Sequence, residues 1–138
     1  MIRYSIFTIV IIVLIGCGEP PLGAGDNVSV ETLEVTATAY NSLQAQTKKG
    51  NPALAAWGDH LEPGVKAIAV SRDLIKMGLD HNTRLKIEGV DGIYQVKDKM
   101  NRRWAKKIDI YMGTDKEKAL EWGKKKVRIY YEKESDSK

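Results

Sequence analysis

The sequence predicts a mainly β domain: six short strands closed into a barrel, with one or two short helices. Three observations carry that expectation. Apolar and polar residues alternate over short runs bounded by Gly, Asp and Asn, the period-2 signature of half-buried strands. Only two stretches carry helix punctuation, and both are short. Finally, the strands outnumber the helices too far for a doubly wound parallel sheet, and closing six short strands removes exposed edges.

The first residues stand apart from that pattern. Arg3 precedes Ile6–Ile15, which is nearly all aliphatic, with one threonine. Such a run falls short of the ~20 residues that span a bilayer as a helix. A basic start, a short apolar core and small residues after it read as an export signal over residues 1–16. Leu14-Ile15-Gly16-Cys17 resembles a bacterial lipobox, with cleavage before a cysteine that then carries lipid. Cys17 is the only cysteine, so no internal disulfide exists, and acylation gives the lone thiol a use. Two or more acyl chains on Cys17 would anchor the protein firmly. The expected location is the bacterial cell envelope. Gly18 follows the cysteine where an aspartate would retain the protein in the inner membrane. In a two-membrane host that points to the periplasmic side of the outer membrane. Residues 17–29 are rich in Gly and Pro and read as a lipidated, flexible tether.

The barrel is expected over residues 30–131, about 110 residues with the tail, enough for one core. Val30–Tyr40 is the first strand, with Val35, Ala37 and Ala39 on one face and Thr36, Thr38 and Tyr40 on the other. Asn41–Pro63 is a long irregular loop, of the kind that usually carries function. Its Ala55, Ala56 and Trp57 are expected to pack back on the body. Lys66–Ser71 reads as a short buried strand. Ser71 offers an N-cap to a short helix, Arg72–Met77, stopped by Gly78. Thr83–Gly89 alternates again, and Asp91-Gly92 marks a hairpin turn into Ile93–Lys97. A basic loop, Asp98–Lys106, leads to the strand Lys107–Tyr111. Thr114-x-x-Glu117 is a capping box for a helix with Ala119, Leu120 and Trp122 inward and Gly123 as its stop. Lys126–Tyr131 is the last strand, and residues 132–138 form a charged, disordered tail.

Composition narrows the chemistry. The chain has 22 basic and 18 acidic residues, a net charge of +4. Removing residues 1–16 takes away one arginine and no acid, leaving 21 basic against 18 acidic residues, or +3. That is mildly basic and dispersed, so no nucleic-acid partner is expected. There is no G-x-S-x-G elbow, no P-loop and no H-E-x-x-H. Gly58-Asp59-His60 makes no metal site, and His60 and His81 lack ligand spacing. No metal or cofactor is expected.

Carboxylates remain. Asp109 interrupts Ile108-Asp109-Ile110-Tyr111, which otherwise reads as a core strand. A mid-strand carboxylate is poor β material and costly to bury unpaired. It either faces solvent, since Ile108 and Ile110 point the other way, or lines a groove. Asp98, at the end of the preceding strand, can be brought beside it. Paired carboxyls are suited to acid/base work on a glycoside.

These residues support a resemblance. Asp98 and the Ile-Asp-Ile-Tyr around Asp109 look like the last two aspartates of the three-aspartate (3D) domain. That family is a double-psi β-barrel, related to the C-terminal barrel of membrane-bound lytic murein transglycosylase A. Thr38-Ala39-Tyr40 resembles its first-strand signature, Ala67-Ile68-Ala69-Val70-Ser71 its second strand, and Gly123 with the final strand its end. The resemblance spans about Val35 to Tyr131. Two departures stand out. Ser71 occupies the place of the first aspartate, with Asp73 two residues later. Asp98-Lys99-Met100 replaces the family's Asp-Thr-Gly.

The resemblance implies that Asp109 is the general acid/base and that Asp98 orients or tunes it. Thr38, Tyr40, Ser71 and Asp73 would line the substrate groove, with Arg102, Arg103 and Trp104 as one rim. The implied reaction cleaves peptidoglycan glycan strands without water, a lytic transglycosylase-like activity in cell-wall turnover. The alternatives are a barrel that binds glycan without cutting it and a structural envelope lipoprotein. The implied partners are glycan strands and, through Cys17, the membrane; the domain is expected to be a monomer.

Overall fold

The structure, a computed structural model, describes residues 18–41 and 55–135 of the chain. Its strands are β1 (Val28–Tyr40), β2 (Ala67–Val70), β3 (Arg84–Ile87), β4 (Val90–Lys99), β5 (Lys107–Tyr111) and β6 (Lys125–Glu134). Helix α1 (Arg72–Lys76) follows β2, and α2 (Lys116–Trp122) precedes β6. The strands close in the order β1-β5-β2-β4-β3-β6. β1 runs parallel to β5 and β2 parallel to β4, and the other four seams are antiparallel. Parallel neighbours cannot be joined by a hairpin, so each of these pairs requires a crossover. The result is the closed, mixed six-stranded barrel with two short helices that the alternation foreshadows.

Alternation fills the interior. Val35 and Ala37 of β1, Ile68 and Val70 of β2, Val96 of β4 and Ile108 and Ile110 of β5 are all buried in one core. Leu74 of α1 and Leu79 after it belong to the same core. Truncating a fully buried side chain such as Ile110 to alanine is expected to cost about 3 kcal/mol.

Several boundaries differ from the sequence reading. The β3–β4 turn is Glu88-Gly89, not Asp91-Gly92; Ile87 pairs with Val90, and β4 runs through both Asp91 and Gly92. Gly89 supplies the positive φ (84°) that a two-residue turn needs. Helix α2 is capped by Asp115, whose carboxylate accepts from the Lys118 amide at 2.9 Å, rather than by a Thr114–Glu117 box. Leu120 is 64% exposed, because the inward stripe of that helix is Ala119 and Trp122, three residues apart.

β1 and β6 are longer than expected at one end, where Val28 pairs with Glu134 and the Ser135 amide reaches the Asn27 carbonyl. Residues 132–134 are therefore strand, and residues 136–138 lie outside the described residues. The segment after Gly18 is seated on the barrel. Glu132 pairs with Arg84 at 2.9 Å and accepts from the Gly23 amide at 3.0 Å. Arg84 also donates to the Pro20 carbonyl. Residues 1–17, including the lipobox and Cys17, lie outside the described residues.

Candidate functional site

The outer face of the barrel, not its interior, gathers the chemistry. In the strand register Thr38 sits beside Asp109, Asp109 beside Ala69, and Ala69 beside Asp98. These four residues form one row across β1, β5, β2 and β4. Cross-strand partners share a face, so both carboxylates lie on the same side of the sheet.

A bulge makes this possible for Asp98. Val96 pairs with Ile68 and is buried in the core. Strict alternation would turn Asp98, two residues on, into the same core. The register shifts between Ile68 and Ala69, so Lys97 is the extra residue and Asp98 pairs with Ala69. One inserted residue flips the face, and an aspartate that alternation would strand among apolar side chains comes to the outer side of the sheet.

Asp98 is only 5% exposed. Its Oδ1 accepts from the Ala56 amide at 2.8 Å and the Lys99 amide at 2.9 Å. Asp109 is half-buried, and its Oδ1 accepts from the Thr38 hydroxyl at 3.1 Å. The same hydroxyl lies 3.4 Å from the Ile108 carbonyl, but it has one proton and the carboxylate is the nearer acceptor.

Tyr40 completes the site. Burial, then the charges of Asp98 and Asp109, then neighbouring Tyr111 push its phenol well above the ordinary range. Two carboxylates from different strands thus bear on one phenol, which keeps its proton. The Tyr40 oxygen is buried and has no hydrogen-bond partner among the described residues. The ring of Tyr111 lies 5.4 Å away, tilted by 52°, and its hydroxyl donates to the Leu61 carbonyl at 3.3 Å. Ala55, Leu61, Ala67 and Tyr111 form a small second core under this end of the groove. Ala55 and Trp57 thereby pack back on the body as the sequence suggests, while residues 42–54 of that loop lie outside the described residues.

Ser71 and Asp73 serve the framework. Ser71 is fully buried and sits at the N-cap of α1, yet its hydroxyl does not cap the helix. Its oxygen accepts from the Lys107 amide at 3.0 Å, and its own amide donates to the Lys107 carbonyl at 2.8 Å. It thus stitches the end of β2 to the start of β5. Asp73 accepts from the Lys106 amide at 2.9 Å. Burial alone would raise its carboxyl. The Ser71 hydroxyl and the amides of Lys106, Asp73 and Leu74 outweigh that and hold it below the usual carboxylate range.

Arg102, Arg103 and Trp104 lie on the loop between β4 and β5. Trp104 is half-exposed, with Lys107 Nζ 3.6 Å and the Arg103 guanidinium carbon 4.9 Å from its ring centre.

One cluster escapes the sequence reading. Asp59 pairs with His81 Nε2 at 2.5 Å and with Lys97 Nζ at 3.4 Å. The His81 ring stacks on Trp57 at 5.0 Å. Together these hold the Ala55–Asp59 turn, which delivers the Ala56 amide to Asp98. His81 holds Asp59 below the usual carboxylate range by its hydrogen bond, helped by Lys97. No local signal joins residues this far apart in sequence. Among the described residues no group of three or more His, Cys, Asp or Glu is placed to hold a metal.

No family model matches the chain, and no curated protein matches it. Two solved structures are similar. Apo expansin of Clavibacter michiganensis aligns at 19% identity and TM-score 0.45, over 78% of this chain and 52% of that one. A point mutant of the Clavibacter michiganensis expansin, in complex with cellohexaose, aligns at 19% identity and TM-score 0.44, over 73% and 49%. The chain spans about half the length of these proteins. At this distance the likeness carries no argument about the ligand.

Proposed function

We propose that the barrel binds cell-wall glycan strands along the outer face of β1, β5, β2 and β4. The observation that carries this is the placement of Asp98, Asp109 and the protonated Tyr40 on one face of the sheet. Carboxylates accept from sugar hydroxyls and amides, and a phenol donates to ring or acetamido oxygens. Buried groups at fixed spacing hold such polar ligands in one orientation. The resemblance to three-aspartate barrels supports peptidoglycan as the polymer.

A second reading adds cutting, and the half-buried position of Asp109 beside Thr38 favours it. Asp109, protonated, gives its proton to the glycosidic oxygen as the bond to the anomeric carbon of the muramyl sugar breaks. As carboxylate it then takes the proton from the 6-hydroxyl of that sugar. The 6-oxygen bonds the same anomeric carbon and closes an anhydro ring. Atoms and charge balance without water, so a second catalytic carboxylate is not obligatory, in contrast to hydrolytic glycosidases. In both readings Cys17 holds the barrel at the envelope through lipid.

The test uses the full chain in detergent with purified sacculi. Binding without soluble product supports the glycan-binding barrel. Anhydro-ended fragments in mass analysis, lost in Asp109→Asn, support cutting. A chain that neither sediments with sacculi nor releases product overturns both. The anchor is checked separately by labelling with radioactive palmitate, which Cys17→Ala should abolish.

A further inference from the structure

The face that carries the carboxylates has a cationic end. Lys107 and Lys126 are the cross-strand partners of Thr36 on either side, one step along the same face from Thr38 and Asp109. Lys107 precedes Asp109 by two residues of strand, about 6.6 Å, within reach of the unit next to a sugar seated at Asp109. Arg103 and Lys107 both lie over the Trp104 ring. Arg103, Lys107 and Lys126 have no ion-pair partner among the described residues.

Like charges gathered this closely repel, and a ring face relieves that only in part. The loop is nevertheless built to hold them. The Trp104 amide donates to the Asn101 carbonyl, and the Arg103 amide to the Asn101 side chain. Arg72 reaches the Met100 carbonyl, and Asp73 takes the Lys106 amide. Lys106 itself sits at φ 44°, left-handed backbone that costs a non-glycine residue energy. A strained turn tied down on both sides, presenting two cations over an indole, is a preformed receptor for an anion.

We propose that Arg103, Lys107 and Lys126 with Trp104 form an anion subsite, one sugar unit from Asp109, for a carboxylate borne by the glycan strand. This rests on the glycan-strand reading and narrows it: the preferred polymer is acidic, not a neutral glucan or chitin. The half-exposed indole offers apolar surface to the substituent, and the cations take the carboxylate.

The experiment compares the full chain with R103Q/K107Q. Both are titrated with native peptidoglycan strands and with strands whose carboxyls have been converted to neutral amides by carbodiimide coupling. Wild type should bind native strands about tenfold more tightly, a preference that salt weakens. R103Q/K107Q should lose the preference and bind the two polymers equally. Equal binding of both polymers by wild type overturns the subsite and leaves the groove reading standing. A T38V/Y40F variant that binds native strands as wild type does overturns the groove reading instead. Tighter binding of poly(glycerol phosphate) than of native strands, through the same two cations, overturns the carboxylate assignment.

Discussion

The two ends of the carboxylate row are built differently. Asp98 is covered, and its oxygen takes two main-chain amides, one from its own strand and one from the Ala55–Asp59 turn. Asp109 is half-buried and takes a side-chain hydroxyl, Thr38, which can rotate. Main-chain amides cannot turn away or accept a proton in exchange, so they commit Asp98 to the role of fixed acceptor. A hydroxyl can reverse its bond and donate elsewhere, so the Thr38 contact of Asp109 can be exchanged where the amide contacts of Asp98 cannot. The same residue type thus serves as framework at one end of the groove and as working group at the other.

The largest effect should come from breaking the fixed end. Asp98→Ala leaves the Ala56 and Lys99 amides without their acceptor, at a cost of about 3 kcal/mol in chemical denaturation. Asp98→Asn keeps one carbonyl oxygen for them and should cost only about 1 kcal/mol. Equal stability of Asp98→Ala and wild type would show that the turn does not depend on this carboxylate.

At the working end the pattern should invert. Asp109→Asn should shift the denaturation midpoint little, because the amide oxygen still accepts from Thr38. If the barrel cuts, release of anhydro fragments should fall about 100-fold or more. If it only binds, affinity for strands should fall about tenfold. An Asp109→Asn protein as destabilised as Asp98→Ala would erase the distinction between the two ends.

The sequence shows why Asp109 is easier to read than Asp98. Ile108-Asp109-Ile110 alternates without interruption, so the outward face of Asp109 follows from period 2 alone, as does that of Thr38. The face of Asp98 depends on the bulge at Lys97, and no residue in Val96-Lys97-Asp98 announces it. The Asp91-Gly92 pair misleads for a related reason: Glu88-Gly89 meets the same turn requirement three residues earlier. The barrel itself is legible because most strands alternate, and the one that does not, Ala67–Val70, is a short apolar run buried throughout. The Asp59–His81 pair is not, because it joins two loops that only the closed barrel brings together. Ser71 is half-legible: its place at the start of α1 can be read, but not that its hydroxyl serves the Lys107 amide across the β2–β5 seam.

Tyr40, on β1 two residues beyond Thr38, bears on both carboxylates, and its change should have a smaller effect. Tyr40→Phe removes a buried hydroxyl that has no partner among the described residues. Stability should therefore hold or rise by up to about 1 kcal/mol. Affinity for glycan should nonetheless fall, since the proton donor facing both carboxylates is gone. Lower stability in Tyr40→Phe would mean that the hydroxyl serves the fold rather than a ligand.

The smallest effect concerns how the fixed end is held closed. Asp59 is kept below the usual carboxylate range first by the hydrogen bond from His81 and then by the charge of Lys97. A carboxyl lowered by folding contributes stability above its unfolded pKa, about 4, and that contribution is lost as pH falls through the folded value. The other acidic groups at this junction are Asp80, which accepts the His81 amide, and Asp98. Both stay in place in Asp59→Asn, so the informative quantity is the difference between wild type and that variant. Exchange of the Ala56 amide should be slower in wild type near neutral pH, and that difference should vanish below the ordinary carboxyl range. His81→Ala should remove it at every pH, because it takes away the main partner of Asp59 and the ring stacked on Trp57. A difference that survives in acid would place the closure of the turn in the Trp57 packing alone, and Asp98 would then be fixed by shape rather than by charge.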